Sequence, residues 1–159
     1  MGPDNVKEGN GRCYCKNGDF YEGVWSKDMP NGYCRMTNLR EVTIGDFKSG
    51  KVHGKVTMQN KDRIYTGQVK DNQFEGAGKL TSVKPKCQYQ GQFHKSKFHG
   101  LGRLTGADGS IYTGEFVNGK KCGKGKITFS DGRNFEGYFF DNKMHGQGRM
   151  TKPNGFYEG

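Results

Sequence analysis

The chain has 159 residues, of which 26 are basic and 16 are acidic, so its formal net charge is +10. Glycine contributes 27 residues, well above the usual share of about 7%, and aromatic residues reach 13%. Glycine at this density opposes helices, the many rings exclude a disordered chain, and no apolar run approaches the roughly 20 residues of a membrane-spanning helix.

The N-terminal segment carries no apolar signal sequence. The cysteines are five, an odd number that favours reduced thiols over a disulfide framework. Both features predict a cytoplasmic protein. Residues 1–8 are interpreted as a flank, and residues 9–159 as one repeat domain.

From residue 9 onward one pattern recurs: aromatic, any residue, glycine, any residue, aromatic, followed by a Gly-x-Gly block. The segment Tyr112–Phe116 with Gly123–Gly125 is a clear example. A partial copy covers 9–20, full copies begin near 21, 43, 65, 89, 112 and 135, and a truncated copy closes the chain at 157–159. The copies that begin at Thr43 and Tyr65 depart most from the pattern, so looser ring packing is expected there.

Each block alternates with a period of two residues, which is the period of a strand. Asn-Gly, Asp-Gly and related pairs separate the blocks and favour type I′ hairpin turns, both within and between repeats. These pairs are Ser49-Gly50, Asp71-Asn72, Asn118-Gly119 and Asp141-Asn142 within repeats, and Asn17-Gly18, Asp108-Gly109, Asp131-Gly132 and Asn154-Gly155 between them. The sequence therefore predicts an all-β fold: an elongated single-layer antiparallel meander of tandem β-hairpins, about 23 residues each.

Aromatic residues and glycines fall on the same face of the predicted strands. In Tyr112, Gly114 and Phe116, every second residue points the same way. A glycine inside a strand is favoured where another group approaches the backbone closely. We therefore expect each ring to lie over a neighbouring glycine backbone.

The segment Tyr112-x-Gly-x-Phe116, with Asn118-Gly119, Gly123-x-Gly125 and Asp131-Gly132 after it, resembles the MORN repeat (membrane occupation and recognition nexus). The copies at 89–111 and 135–156 resemble it equally well, and the resemblance covers residues 9–159. It implies a scaffold or adaptor similar to junctophilins, alsin, radial-spoke head proteins and protist cytoskeletal proteins. By the same resemblance the chain is expected at the cytoskeleton, a cilium or the cytoplasmic face of a membrane.

No catalytic, cofactor or metal site is predicted. The histidines recur with the repeat, as a structural position would, and no nucleophile is paired with one by a known motif. No helix follows the Gly-x-Gly blocks, as a dinucleotide-binding loop requires. Cys13-x-Cys15 lacks the second pair of ligands of a zinc site, so small residues on the glycine face are the favoured interpretation and zinc the alternative.

Basic residues form a second periodic feature. The residue after the second glycine position is Lys or Arg in every copy but one, which has Thr57. Alternation places these residues on the face opposite the glycines, about 9.6 Å apart along the sheet. Glu115 and Glu136 can neutralise them at the C-terminal end, but the stretch from Lys79 to Thr105 contains no acid. An anion- or lipid-binding surface is therefore predicted from Lys79, Lys84, Lys86, Lys95, Lys97, Arg103, Lys126 and Arg149.

The predicted partner is another protein, bound through a helix or peptide on the aromatic face. The candidate contact residues are Tyr89, Phe93, Tyr112, Phe116, Phe135 and Phe139. Anionic phospholipid on the basic face is the alternative. Nucleic acid is disfavoured, because rings that build the sheet are not free to stack on bases. Unpaired strands at the two ends of a meander also predict a homodimer through a terminal edge.

Overall fold

The structure, a computed structural model, describes residues 6–153 and 155–158. Residues 1–5 of the predicted flank, Asn154 of the last predicted turn, and Gly159 lie outside the described residues, as do the side chains of the truncated last copy. Over the described residues the chain forms fourteen strands: β1 Gly9–Tyr14, β2 Phe20–Ser26, β3 Met29–Thr37, β4 Glu41–Lys48, β5 Lys51–Asn60, β6 Arg63–Lys70, β7 Gln73–Ser82, β8 Cys87–His94, β9 Lys97–Thr105, β10 Ile111–Val117, β11 Lys120–Thr128, β12 Asn134–Phe140, β13 Lys143–Lys152 and β14 Gly155–Glu158. Within this described part, no helix is long and apolar enough to cross a membrane.

The strands form one open antiparallel sheet. Each strand pairs with the next along the chain, so the order from β1 to β14 is the order in the sheet. Each repeat contributes two strands, the first from its aromatic block and the second from its Gly-x-Gly block. The predicted all-β meander of tandem hairpins is confirmed.

The turns within repeats have two residues, and both have positive φ. In the turn between β10 and β11, φ is 50° at Asn118 and 85° at Gly119. This is the type I′ geometry, which matches the twist of the flanking strands. Two further turns of this kind, Lys27-Asp28 and Lys95-Ser96, carry no glycine or asparagine and escaped the sequence interpretation.

The type I′ prediction is wrong for the described turns between repeats. After β1 only Gly18 has positive φ, at 88°. The Cys15 N–H donates to the carbonyl of Asp19 at 2.8 Å, which closes a loop of three residues. A three-residue loop takes an ordinary type I turn followed by one left-handed residue. The loops that end in Gly109 and Gly132 have the same arrangement.

The core is a row of aromatic rings along one face of the sheet. Tyr65, Tyr89 and Tyr112 are each only 1% exposed. Rings from the following strand cover two of them: the ring centroids of Tyr65 and Phe74 are 3.6 Å apart, and those of Tyr89 and Phe98 are 3.8 Å apart. The looser packing expected at Tyr65 is therefore wrong.

The rings lie over glycine, as predicted. A Cβ built on Gly125 would come within 2.7 Å of Tyr112, and one built on Gly78 within 2.8 Å of the ring of Tyr65. These distances leave no room for any side chain at either glycine. Ring packing and strand pairing therefore require glycine at these positions.

A β-bulge follows the first glycine of most hairpins. In β10 the register shifts between Gly114 and Glu115. The Tyr112 hydroxyl donates to the carbonyl of Glu115 at 3.0 Å. The Tyr65 hydroxyl donates to the carbonyl of Gln68 at 2.6 Å in the same way. Each of these tyrosines thus satisfies a carbonyl that the bulge removes from the ladder.

Candidate binding surface

The face that carries the rings is buried by its own side chains. The six residues predicted to contact a partner are 1–8% exposed and belong to the core: Tyr89, Phe93, Tyr112, Phe116, Phe135 and Phe139. Edge-to-face contacts join neighbouring rings, and the Tyr112 and Phe139 centroids are 4.9 Å apart. A partner could reach these side chains only if the packing between hairpins opened. We call this side the inner face and the opposite side the outer face.

The outer face carries a row of cations set by the strand register. Arg103 of β9 lies opposite Gln90 of β8 on one side and Thr113 of β10 on the other. Lys79 of β7 also lies opposite Gln90, and Lys126 of β11 also lies opposite Thr113. We call Lys79, Arg103 and Lys126 the cation row. Its members stand on alternate strands, about 9.6 Å apart by the strand spacing.

Acids lie beside the equivalent cations of the repeats on either side of the cation row. Near the N-terminus, the Arg12 guanidinium lies 2.7 Å from the Glu22 carboxylate in an exposed ion pair. Toward the C-terminus, Glu136 stands in register between Lys126 and Arg149. Carboxylates in these positions compete with an incoming anion for the neighbouring cations.

No acid stands in register between the members of the cation row, although Glu136 lies opposite Lys126 on its C-terminal side. Lys79, Arg103 and Lys126 are exposed, and none of them forms an ion pair with the described side chains. Gln90 and Thr113, which lie between them, are neutral hydrogen-bonding residues. The positive charges of Lys79 and Arg103 are therefore available to a partner, and Lys126, which lies opposite Glu136 without forming an ion pair with it, adds to them.

Four other predicted anion-binding residues lie elsewhere. Lys84 and Lys86 stand in the loop between β7 and β8, whereas Lys95 and Lys97 lie at the opposite end of the strands, at the turn between β8 and β9. Arg103 pairs with Gln90 and Lys97 with His94, so the two cations are four residues apart along the register, which is about 13 Å. The structure thus distributes the predicted cations over three places instead of one surface.

Apolar groups border the cation row on the outer face. Leu101 is 67% exposed and Tyr138 is 47% exposed. Each is next to an inner-face glycine, Gly102 and Gly137 respectively, so strand alternation points both outward. Lys124 extends over Tyr138, with its Nζ 5.8 Å from the ring centroid. Sequence analysis missed this feature, although alternation relative to the glycines could have identified it.

Two open depressions lie on this face. One, of about 430 Å³, is lined by residues that include Lys126, Glu136 and Tyr138, with Gly125 and Gly137. The other, of about 560 Å³, is larger and is lined by uncharged residues and one lysine, among them Tyr33, Ile44, Thr57, Thr66 and Ala77. Glycine and alanine leave the backbone accessible in both, so a partner can approach the main chain.

Lys121 is a cation on the inner face. Lys121 occupies the repeat position that holds Phe74 and Phe98 in earlier copies. Its Nζ lies 5.1 Å from the centroid of the Tyr112 ring. Burial lowers the pKa of Lys121, while the more distant charge of Asp108 acts in the opposite direction. Lys121 thus replaces a stacked ring with a cation–π contact.

A second charged contact lies at the turn end of β7 and β8. The Nδ1 of His94 lies 2.8 Å from a carboxylate oxygen of Glu75. The Lys95 N–H also donates to this carboxylate at 3.1 Å. The hydrogen bond from His94 and then that from Lys95 hold the pKa of Glu75 below its usual value. This acid lies on the neighbouring strand, next to the basic turn that contains Lys95.

The five cysteines are all free thiols. Lys7 donates from its Nζ to the Sγ of Cys13 at 3.2 Å. Burial raises the pKa of the Cys15 and Cys34 thiols. Cys34 is buried in register with Gly23, at a position where most other copies have glycine. In the part of the chain that the structure describes, no three His, Cys, Asp or Glu side chains are grouped in a way that could hold a metal ion.

A family model described as MORN repeat matches the chain at residues 4–20, 21–38, 65–84, 89–111, 112–132 and 135–156. A comparison with curated proteins finds no match. Among solved structures, the chain is similar to the TCP domain of SAS-4 (dCPAP) of Drosophila melanogaster, solved in complex with a proline-rich motif of Ana2 (dSTIL). That likeness has a TM-score of 0.55 at 15% identity, and covers 94% of this chain and 83% of the other. It is a likeness of fold.

Proposed function

The chain belongs to the MORN repeat family, and from this we propose that it is a non-catalytic scaffold whose outer face binds another protein. The cation row carries this proposal. It presents three exposed cations in register, without acids between them, beside exposed Leu101 and Tyr138. Protein interfaces combine such charges, which select the partner, with apolar anchors.

The burial of the inner face supports the choice of the outer one. The rings that a partner would need on the inner face are already packed against each other and against glycine backbones. The outer face offers uncompensated charge, exposed apolar groups and two depressions. The SAS-4 domain of similar fold, solved in complex with a proline-rich motif, supports a peptide as the ligand of such a sheet.

Peripheral binding of anionic phospholipid is the second candidate. The same cation row favours it, because each Lys or Arg close to an anionic membrane contributes about 1 kcal/mol. Association with a membrane, cilium or cytoskeleton, and a homodimer through a terminal edge strand, are further proposals. They rest on the family resemblance and on the open sheet, respectively.

Affinity capture from a cell extract tests the proposal. The bait is the chain, with Arg103→Glu/Lys126→Glu as the test variant and Lys95→Glu/Lys97→Glu as the control with the same change in net charge. We expect mass spectrometry to identify a protein that the chain and the control capture and that the test variant loses. A protein captured equally by all three, or only membrane lipids lost with the test variant, would contradict the scaffold proposal.

A further inference from the structure

We propose that the outer face binds an extended, proline-rich acidic segment of the partner, which lies across the strands and has an acidic residue at every third position. The inference rests on the proposed function and specifies its ligand. The acidic side chains pair with Lys79, Arg103 and Lys126 in turn.

The spacing of the cation row carries this inference. Its members are about 9.6 Å apart. A polyproline II helix has three residues per turn and rises about 3.1 Å per residue, so every third side chain recurs on one face after about 9.3 Å. The two repeats therefore stay in phase over the three cations.

The other regular conformations fit less well. In a β-strand, residues three apart point to opposite faces, so acids with this spacing cannot all meet the row. In an α-helix, seven residues advance about 10.5 Å. Acids with this spacing drift by about 1 Å per step relative to the cations. Polyproline II is thus the conformation whose period matches the row most closely.

The residues around the cation row suit such a ligand. A polyproline II segment has no internal hydrogen bonds, so its carbonyls remain available to donors such as the amide of Gln90 and the hydroxyl of Thr113. Aromatic and apolar side chains are the usual contacts of prolines in this conformation. Tyr138, with the depression beside Lys126, and Leu101 provide them next to the row.

A ligand of fixed period is favoured over a membrane because the members of the cation row are regularly spaced, whereas the other predicted cations are not. Lipid headgroups diffuse and would respond to exposed charge wherever it stands, including Lys84, Lys86, Lys95 and Lys97. Regular spacing with neutral hydrogen-bonding residues between the charges matters only for a ligand of fixed period. Dependence on acid spacing is therefore the property to test.

Fluorescence anisotropy at 0.1 M salt tests it with two labelled peptides of twelve residues. One has glutamate at every third position and proline elsewhere, and the other has the same composition with its four glutamates adjacent. We expect the periodic peptide to bind at least about tenfold more tightly, which corresponds to 1.4 kcal/mol. Equal binding of the two isomers, or no binding of either, would overturn the inference.

Charge-reversal variants locate the site. Arg103→Glu/Lys126→Glu is expected to weaken binding of the periodic peptide at least about tenfold. Lys95→Glu/Lys97→Glu is expected to change its affinity less than about threefold, because these residues lie beyond the Debye length of about 10 Å at this salt concentration. If circular dichroism shows that the first variant is unfolded, Arg103→Gln/Lys126→Gln replaces it with the same expectation. Equal losses in the test and control variants would overturn the inference.

The inference and the proposed function can fail separately. A helix-forming peptide with glutamate at every seventh position, and vesicles that contain phosphatidylserine, are measured in parallel. Tighter binding of the helical peptide, or binding of the vesicles alone, overturns the polyproline II ligand. The scaffold proposal is tested separately, by whether a protein is captured and whether its capture depends on Arg103 and Lys126.

Discussion

The ring of Tyr112 occupies the space in which Gly125, on the neighbouring strand, would carry a side chain. A Cβ at Gly125 would lie 2.6 Å from ring atom Cε2 and 2.7 Å from Cζ. The same relationship joins Tyr89 to Gly102 one repeat earlier and Tyr65 to Gly78 two repeats earlier. A sheet without a second layer thus buries its rings against its own backbone.

Gly125→Ala is expected to destabilise the protein by about 3 kcal/mol, because overpacking must displace the ring of Tyr112. Gly11→Ala is the matched control, since Gly11 has the same repeat position and its Cβ would meet Trp25 at an ordinary 3.6 Å. Urea unfolding followed by tryptophan fluorescence measures both. Equal stability of the two variants would contradict the ring-on-glycine account.

The stability of the fold is expected to fall steeply above pH 10. Burial raises the pKa of Tyr65 and of Tyr112 to about 12, whereas an unfolded tyrosine ionises near pH 10. The stabilisation from each neutral tyrosine is complete below pH 10 and is lost as the pH rises to 12. Each contributes about 2–3 kcal/mol across this window. The free energy of unfolding, measured from pH 8 to pH 11.5, checks the slope.

Tyr65→Phe separates the hydroxyl from the ring. At pH 8 the variant should lose about 1 kcal/mol, because the carbonyl of Gln68 loses its 2.6 Å hydrogen bond. Above pH 10 its stability should fall less steeply than that of the parent protein. The repeat that begins at Phe135 already lacks this hydroxyl. An unchanged alkaline slope would show that Tyr65 ionises as freely as in the unfolded chain.

Lys121→Phe is expected to stabilise the protein by about 1 kcal/mol. It would restore the stacked pair that Tyr65 makes with Phe74 and Tyr89 makes with Phe98, and it removes a half-buried charge. Lys97→Phe, at an exposed strand end, is the control and should give no gain. Differential scanning calorimetry measures the midpoint temperatures of unfolding of both variants and of the parent protein. A lower midpoint for Lys121→Phe would mean that the cation–π contact outweighs ring stacking.

Turn side chains connect neighbouring repeats. The side-chain oxygen of Asn72 accepts the N–H of Val52 at 3.0 Å, and the Asn72 N–H donates to the carbonyl of Val52 at 3.3 Å. Asn72→Gly keeps the positive φ of 64° and loses only the side-chain bond, so a cost of about 1 kcal/mol is expected.

Asn72→Ala should cost about 1–2 kcal/mol more than Asn72→Gly, because the left-handed backbone disfavours a Cβ. Urea midpoints of the two variants give the comparison. If Asn72→Gly and Asn72→Ala were equally stable, backbone strain at this turn would not contribute significantly to the free energy of unfolding.

The sequence was enough to predict the meander and the ring-on-glycine contacts, because both follow from local periodicity. Asn118-Gly119 determines the type of its own turn, and the alternation around Gly114 determines which side chains lie on which face of the sheet. The bulge after Gly114 was not predictable from the alternation, since it adds residues without breaking the aromatic pattern.

The burial of the inner face depends on contacts between strands of different repeats. Whether Phe116 is exposed depends on rings from neighbouring strands, such as Phe98, whose centroid lies 5.8 Å away. The periodicity of a single repeat does not predict a contact between rings of two different repeats. Likewise, the basic residues near Lys97 and those near Arg103 are close in the sequence but stand at different places along one strand, which the register alone reveals.

Lysine acetylation, read by mass spectrometry on the free protein and on its complex with the captured partner, tests the central claim most directly. If the outer face is the binding surface, the amines of Lys79 and Lys126 react much more slowly in the complex, while Lys95 and Lys97 react at the rates of the free protein. Unchanged rates at Lys79 and Lys126 in a complex of confirmed stoichiometry would contradict the account.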